Sequence, residues 1–357
     1  MYILLTGILT GASIHKKVMK LIYRTFLESK FARSSIAVSL IVLSLLLQPC
    51  CTGQPGNQSP DSGMLEAASS GEVLVVAVGD VMLSRDVGKS IKTGGNPEAP
   101  FIETAEILRQ ADIAFCNLES PFYEKGPPAE GEMVFGAAPE TIDGLRYAGF
   151  DVVSLANNHF GDQGRDGMLY TLSHLEENDI EYTGAGESES QARQPAIIER
   201  NGLKFAFLGY SDIESAITKG YNATPARPGT AVLTEEDLTQ DIQRVKKEAH
   251  VVIVSIHWGT EYEELPAERQ RAFAHMAIDA GASLVLGHHP HVVQPVVKYK
   301  DGYIFYSLGN FVFDQMWSEN TRKSLIAKIL FEGDEIKEIE TVKVVINDSF
   351  QPCPADW

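Results

Sequence analysis

From residue 72 onward, short apolar runs alternate with longer stretches in which apolar positions recur every three or four residues. The runs at 73–78, 113–116, 152–156, 205–208, 251–256, 283–286 and 303–308 are rich in Val, Ile and Phe. They are too short for helices, so they are expected to be strands. Helical spacing is expected near 101–110, 140–148, 165–177, 235–248 and 266–280. The last two runs, 324–331 and 336–345, predict a hairpin turning at Gly333-Asp334. Strand and helix in alternation at this spacing predict one layered α/β domain over 72–345, with 346–357 as a C-terminal tail.

Before that domain the pattern changes. Residues 36–47 read IAVSLIVLSLLL, preceded by Lys16, Lys17, Lys20, Arg24, Lys30 and Arg33 and followed by Pro49-Cys50-Cys51. A basic region before a short apolar run is the layout of a secretory signal, and twelve residues are too few to span a bilayer comfortably. Met19 is an alternative start. Cys50-Cys51 points to lipoprotein-type processing, although Pro49 fits that cleavage pattern poorly, so both cleavage and lipidation stay open. Half of the residues in 52–71 are Gly, Ser or Pro, the composition of a flexible linker. The expectation is a leader at 1–51, a tether at 52–71, and a folded body held outside the cytoplasm at the cell envelope, membrane-anchored by signal or lipid.

Charge sharpens this division. The chain of 357 residues carries 48 Asp and Glu against 30 Lys and Arg, a formal −18. The first fifty residues hold six of the bases and one acid, which leaves the remainder near −23. Such a body has no electrostatic means of holding nucleic acid, whose binding is dominated by phosphate neutralisation. Cys116 and Cys353 lie far apart without metal-like spacing, and nothing in the sequence supports a bridge between them. Cys116, inside an apolar run, is expected to be buried.

The candidate chemistry lies where the strands end. VLVVAV runs into Gly79-Asp80, and DIAFC into Asn117-Leu118-Glu119. VVSLA runs into Asn157-Asn158-His159, VVIVSI into His257-Trp258, and SLVL into Gly287-His288-His289-Pro290-His291. In α/β sheets the carboxyl ends of strands form the ligand crevice, so these groups are expected to converge. Carboxylate, carboxamide and imidazole together are a mixed oxygen and nitrogen donor set suited to Mn, Zn or Fe, one ion or two. Side chains alternate in an extended segment, so His289 and His291 are the better ligand pair and His288 faces away. His174, His250 and His275 fall on predicted helix faces or a strand start and are read as structural. Arg85 has the fork to pair with a ligand's carboxylate or phosphate, or with one of the many acids. Trp258 and Asn310 are further candidates for lining the crevice or ordering it.

The segments GDVMLSR, NLESPF, SLANNHFGDQG, IHWGTEY, GHHPHVVQP and YSLGNFVFD, in this order, resemble the bacterial CapA/PgsA family of capsule-synthesis proteins linked to poly-γ-glutamate. That family is in turn similar to the calcineurin-like metallophosphoesterases. The resemblance implies a layered β-sandwich flanked by helices, and a metal site built from Asp80, Glu119, Asn158, His257, His289 and His291. It implies His159 as the proton-transferring catalytic residue; from the residues themselves, Arg85, His288, Trp258 and Asn310 are the candidates for substrate contact. Two departures stand out: Met82 occupies the place of an imidazole in the wider pattern, and Glu119 that of an aspartate. The function implied is synthesis, export or anchoring of an anionic polymer such as poly-γ-glutamate, alongside membrane-bound synthase components, through hydrolase or transferase chemistry. Two other readings remain: a non-catalytic partner of the synthase, and a phosphoesterase for another extracytoplasmic substrate.

Overall fold

The computed structural model describes residues 71–124 and 133–357. The leader expected at 1–51 and, but for Gly71, the linker expected at 52–71 lie outside the described residues.

The strands are β1 (Glu72–Val81), β2 (Ile113–Leu118), β3 (Val152–Ser154), β4 (Glu181–Thr183), β5 (Ala185–Gly186), β6 (Ala196–Arg200), β7 (Leu203–Ser211) and β8 (Gly229–Thr230). They continue with β9 (Val251–His257), β10 (Leu284–His288), β11 (Val296–Tyr299), β12 (Gly302–Phe305), β13 (Asn310–Val312), β14 (Lys323–Glu332), β15 (Glu335–Ile346) and β16 (Pro352–Pro354). One sheet runs in the order β16-β15-β14-β1-β2-β3-β4, with β13 also pairing β1. A second runs β11-β12-β10-β9-β7-β6. Within each sheet the central strands are parallel: β1 to β4 in the first, and β7, β9, β10 and β12 in the second.

The two-residue period of β1 explains the layering. Val73, Val75 and Ala77 face inward against the second sheet's Phe205, Phe207, Val251 and Leu286. Val76 and Val78 face outward, into a core shared with Leu145, Leu172 and Leu175. Both faces are buried, which is why the parallel strands read as continuous apolar runs rather than alternating ones. Among the described residues, four helices are longer than eight residues: α1 (Arg85–Gly94), α2 (Gly164–Glu177), α3 (Glu235–Val245) and α4 (Glu268–Ala280). Leu238 and Ile242 of α3 and Phe273 and Ala277 of α4 pack on the outward Val252 and Val254 of β9. The result is the expected β-sandwich flanked by helices.

Three expectations need correcting. Residues 346–357 are not a separate tail, because β16 pairs antiparallel with β15 and closes the sheet edge. The strand expected at 303–308 stops at Phe305, after which the chain turns through Gly309 (φ 77) to reach β13. The helix expected over 101–110 is broken, with a 3-10 turn at Ala99–Phe101 and an α turn at Ala105–Leu108. Cys116 is buried as expected, and Cys353 is free.

Candidate metal centre

The parallel strands of both sheets end on one side of the sandwich, so side chains from two sheets meet there. In the first sheet Asp80 pairs in register with Asn117 of β2 and with Asn310 of β13, and β1 is irregular at this point in both pairings. Irregularities of this kind re-aim a side chain where pairing stops. Gly79 makes the approach possible: a Cβ there would lie 1.8 Å from the Gly309 carbonyl oxygen. In the second sheet His257 ends β9 in register with His288 of β10.

Glu119 sits at the centre. Its carboxylate is fully buried, and neither oxygen has a hydrogen-bond partner among the described residues. Around Oε1 stand three imidazole nitrogens, Nε2 of His159, of His257 and of His291, each at 3.9 Å. An unpartnered buried carboxylate is costly unless something charged meets it. Donor atoms that each lie about 2.1 Å from a shared ion stand at most about 4.2 Å apart, so the spacing fits a bound divalent cation. Asp80, Glu119 and His257 bring one donor atom each to within 4.8 Å of one another, and Glu261, His289 and His291 form a second such group.

The remaining contacts tie the two sheets together. Asn117 Nδ2 donates to Asp80 Oδ1 at 2.8 Å and stands 3.3 Å from His257 Nδ1. Asn158 Oδ1 is 2.7 Å from His257 Nε2, and His289 Nδ1 is 3.2 Å from the same nitrogen. The backbone N–H of His289 donates to Asp80 Oδ2 at 3.3 Å. His291 Nδ1 lies 2.8 Å from Asn310 Oδ1 and 3.7 Å from Asp80 Oδ2. Asp80, Glu119, Asn158, His159, His257, His289, His291 and Asn310 are thus brought together.

Electrostatics follow from burial. Burial drives the Glu119 carboxyl well above its ordinary range, and the charges of Asp80 and Glu261 push the same way. Burial alone would also raise Asp80, but His288, His291 and Asn117 outweigh it and hold that carboxyl below its usual value. Burial and neighbouring imidazoles pull His257 well below the ordinary histidine value and His289 down to about 3. His159 is also lowered, chiefly by burial, against the opposing pull of Asp162. Burial therefore favours the neutral form of His159, His257 and His289, the form that ligates metal, and disfavours the charged form of Glu119 until a cation meets it.

Three neighbours with no role assigned from the sequence complete the site. Asp162 Oδ2 lies 2.7 Å from His159 Nδ1 and also accepts the Phe135 amide proton at 2.7 Å, while the Phe135 ring stacks on His159 at 3.7 Å. Asn157 is bonded to Asn117 Oδ1, to the Leu118 carbonyl and from the His159 amide, and so fixes the loop that carries Asn158. Glu261 stands four residues after His257, inside IHWGTEY. For Asp162 the signal was its i, i+3 spacing from His159; for Glu261 there was no periodicity to read.

Three proposed substrate contacts are placed differently. Trp258 is fully buried on the outer face of the second sheet, its indole N–H donating to the Tyr306 carbonyl at 2.9 Å, so it is core rather than crevice wall. His288 is buried beside Asp80, with Nδ1 3.2 Å from Asp80 Oδ1, so it stands against that carboxylate rather than at an exposed face. Arg85 forks onto Asp314 and lies over the rings of Phe135 and Phe313. Met82 is buried, its thioether accepting the Ser84 amide proton at 3.1 Å, so β1 offers Asp80 alone.

Comparison with known proteins completes the picture. The family model for the bacterial capsule synthesis protein PGA_cap matches residues 74–315. The capsule biosynthesis protein CapA of Bacillus anthracis is 36% identical over 266 residues, covering 71% of this chain and 63% of its own length. The PGA biosynthesis protein CapA of Bacillus subtilis strain 168 is 32% identical over 346 residues, covering 96% of this chain and 87% of its own. Among solved structures, a hypothetical protein from Thermus thermophilus aligns with a TM-score of 0.48 at 18% identity, covering 76% of this chain and 98% of its own. The chain thus spans just under two thirds of the Bacillus anthracis relative.

Proposed function

From the premise that the chain belongs to the PGA_cap family of bacterial capsule synthesis proteins, we propose that it acts in making, exporting or anchoring an anionic capsule polymer of the poly-γ-glutamate type. The proposal places the body on the outer side of the membrane, held by its N-terminal leader, beside membrane-bound synthase components. Its working part is the metal-centred crevice, with hydrolase or transferase chemistry. The single observation that carries this reading is the buried, unpartnered Glu119 carboxylate facing three imidazole nitrogens at 3.9 Å.

Asp80, Glu119, Asn158 and His257 would hold the first cation, with His289 and His291 at its flank. When bound, a divalent cation would supply Lewis acidity toward an acyl or phosphoryl oxygen. The protein's own contribution is proton handling. Asp162 Oδ2 already accepts the Phe135 proton, and a carboxylate only accepts, so Nδ1 of His159 is the donor in that pair. Nε2 is left facing the crevice as the atom through which a proton is taken and returned. Met82, turned into the core, favours a second reading in which the crevice binds polymer for a partner synthase without turning it over.

The deciding experiment uses the purified full-length chain. Metal content is measured, followed by turnover of generic phosphoesters and of γ-linked glutamate oligomers, in wild type, Asp80→Ala and Glu119→Gln. At least one equivalent of metal, with turnover lost in both variants, is the expected result. Absence of bound metal after incubation with Mn, Zn or Fe would overturn the proposal. Bound metal and polymer binding without turnover would select the non-catalytic reading.

A further inference from the structure

A cleft of about 490 Å³, lined by the helical turn Glu189–Ala192 and by α3, shares no residue with the strand-end crevice. Its size falls in the range of about 300–1,000 Å³ usual for ligand sites. We propose that it binds an amide-linked chain of acidic residues, and so holds the polymer at a place other than the metal centre. This inference rests on the capsule-polymer reading above and names a further contact for that polymer.

The floor of the cleft is fixed by Asp241, which is 4% exposed. Its Oδ2 accepts from Tyr210 Oη at 2.9 Å and from Arg193 Nε at 2.8 Å. Its Oδ1 accepts from Arg193 Nη2 at 3.1 Å and from Arg244 Nη2 at 3.2 Å. Arg193 Nη1 pairs with Asp237, so all three nitrogens of that guanidinium are spent on α3. Arg244 is held differently. Its Nη2 is engaged, on Asp241 and on the Arg193 carbonyl at 3.1 Å, while Nε and Nη1 have no hydrogen-bond partner among the described residues. A buried carboxylate thus presets this guanidinium and leaves it donors to give. An arginine so ordered can take a carboxylate with little further loss of side-chain freedom.

The other lining segment supplies complementary groups. Among the described residues the Ser190 hydroxyl and the Glu189 carboxylate have no partner, and Gln194 spends its Nε2 on the Ser190 carbonyl at 3.2 Å, keeping Oε1. The two guanidiniums set against the carboxylates of Asp237, Asp241 and Glu189 leave a formal −1, so a bare anion gains little here. A γ-linked glutamate unit brings a carboxylate, an amide N–H and a carbonyl. The carboxylate suits Arg244, the N–H suits Glu189 or Gln194 Oε1, and the carbonyl suits the Ser190 hydroxyl. Tyr210, which anchors the floor, is in register with Ile256, one residue short of the Ser211–His257 pair, and packs with the outward core of the second sheet. The cleft therefore lies on the opposite face of that sheet from His257. A chain held there sets affinity for the polymer without touching the reacting centre.

The test reads binding rather than turnover. Full-length protein in chelator is titrated against a fluorescently labelled γ-linked glutamate decamer, followed by anisotropy at fixed ionic strength. Arg244→Gln should weaken binding by about 10-fold, the worth of one charge-assisted hydrogen bond, and Asp80→Ala should bind as wild type does. Ser190→Trp, which fills the cleft and leaves the Asp241 pairs in place, should weaken it at least as much, and so guards against a folding defect in the first variant. Unchanged affinity in both cleft variants would overturn the inference and leave the polymer reading standing. So would binding that appears only with Mn²⁺ and is lost in Asp80→Ala, since the crevice alone would then hold the chain. A wild type that binds no decamer with or without Mn²⁺ would overturn both. A polyacrylate of equal charge, which lacks the amide links, should bind more weakly; equal affinity would refute recognition of an amide-linked chain.

Discussion

His159 and Asp162 form a buried pair, Nδ1 to Oδ2 at 2.7 Å, that turns the opposite nitrogen of the imidazole toward Glu119. Because Oδ2 also takes the Phe135 amide proton, the carboxylate fixes ring orientation and tautomer together. Asp162→Asn should preserve the fold and the metal content while presenting an amide where an acceptor is needed. Turnover should fall by about 10²-fold or more, the range attributed to a positioned proton-transfer group, with KM little changed. A shifted acid limb in the pH profile of the variant would separate this role from simple packing. Unaltered kcat would dismiss it.

Glu119 makes stability depend on pH and metal in opposite ways. Folding raises its pKa well above the ordinary 4.5, so its contribution is fully present below that value and is lost as pH rises toward the folded one. His257 and His289 have lowered values, and their contribution is lost as pH falls below 6.5. Glu119→Gln removes only the first effect. In chelator, its melting temperature relative to wild type should rise between about pH 5 and pH 8; with Mn²⁺ the order should reverse, since ionised Glu119 becomes a ligand. A difference that does not change with pH would contradict the buried, proton-retaining carboxyl.

Much of this was legible in the chain. β1 to β3, β7, β9 and β10 declared themselves because both of their faces are buried and their runs are unbroken, and their polar ends marked the crevice. The sequence could not say which of two sheets each strand joins, because a doubly buried strand reads alike in either. β6 and β13 were missed: Ala196–Arg200 is an edge strand with alternating exposure, and Asn310–Val312 is three residues long. Trp258 was misjudged since the residue after His257 points to the opposite face of the sheet. Glu261 depends on a loop with no period, and its closeness to His289 and His291 exists only once two sheets meet.

Trp258 and Trp317 should behave as opposites. Trp258 is fully buried and bonded to Tyr306, whereas Trp317 is 65% exposed and rests edge-on against Tyr262. Trp258→Ala should cost about 3–5 kcal/mol of stability and leave metal affinity in the surviving folded fraction unchanged. Trp317→Ala should shift stability by no more than about 0.5 kcal/mol. Denaturant unfolding of both variants checks this, and a mild Trp258 phenotype would restore it as a candidate crevice wall.

Gly79 offers the sharpest link between backbone and site. It is the residue before Asp80, and an added Cβ would stand 1.8 Å from the Gly309 carbonyl oxygen, the acceptor for the Asp80 amide at 3.0 Å. No side-chain rotation relieves that contact, because the obstructing atom is backbone. Gly79→Ala must push β1 away from the turn that leads into β13, and the displacement falls on Asp80 and on Asn310, which holds His291. A stability loss above about 3 kcal/mol is expected, beyond the range of ordinary surface changes. Metal affinity should fall with it, although residue 79 carries no donor. Gly88→Ala, on α1, where the added Cβ would meet a carbonyl at 3.1 Å, is the control. It should cost far less and leave metal binding intact. Equal behaviour of the two variants in calorimetry would show that the close crossing at Gly79 does not set the position of Asp80.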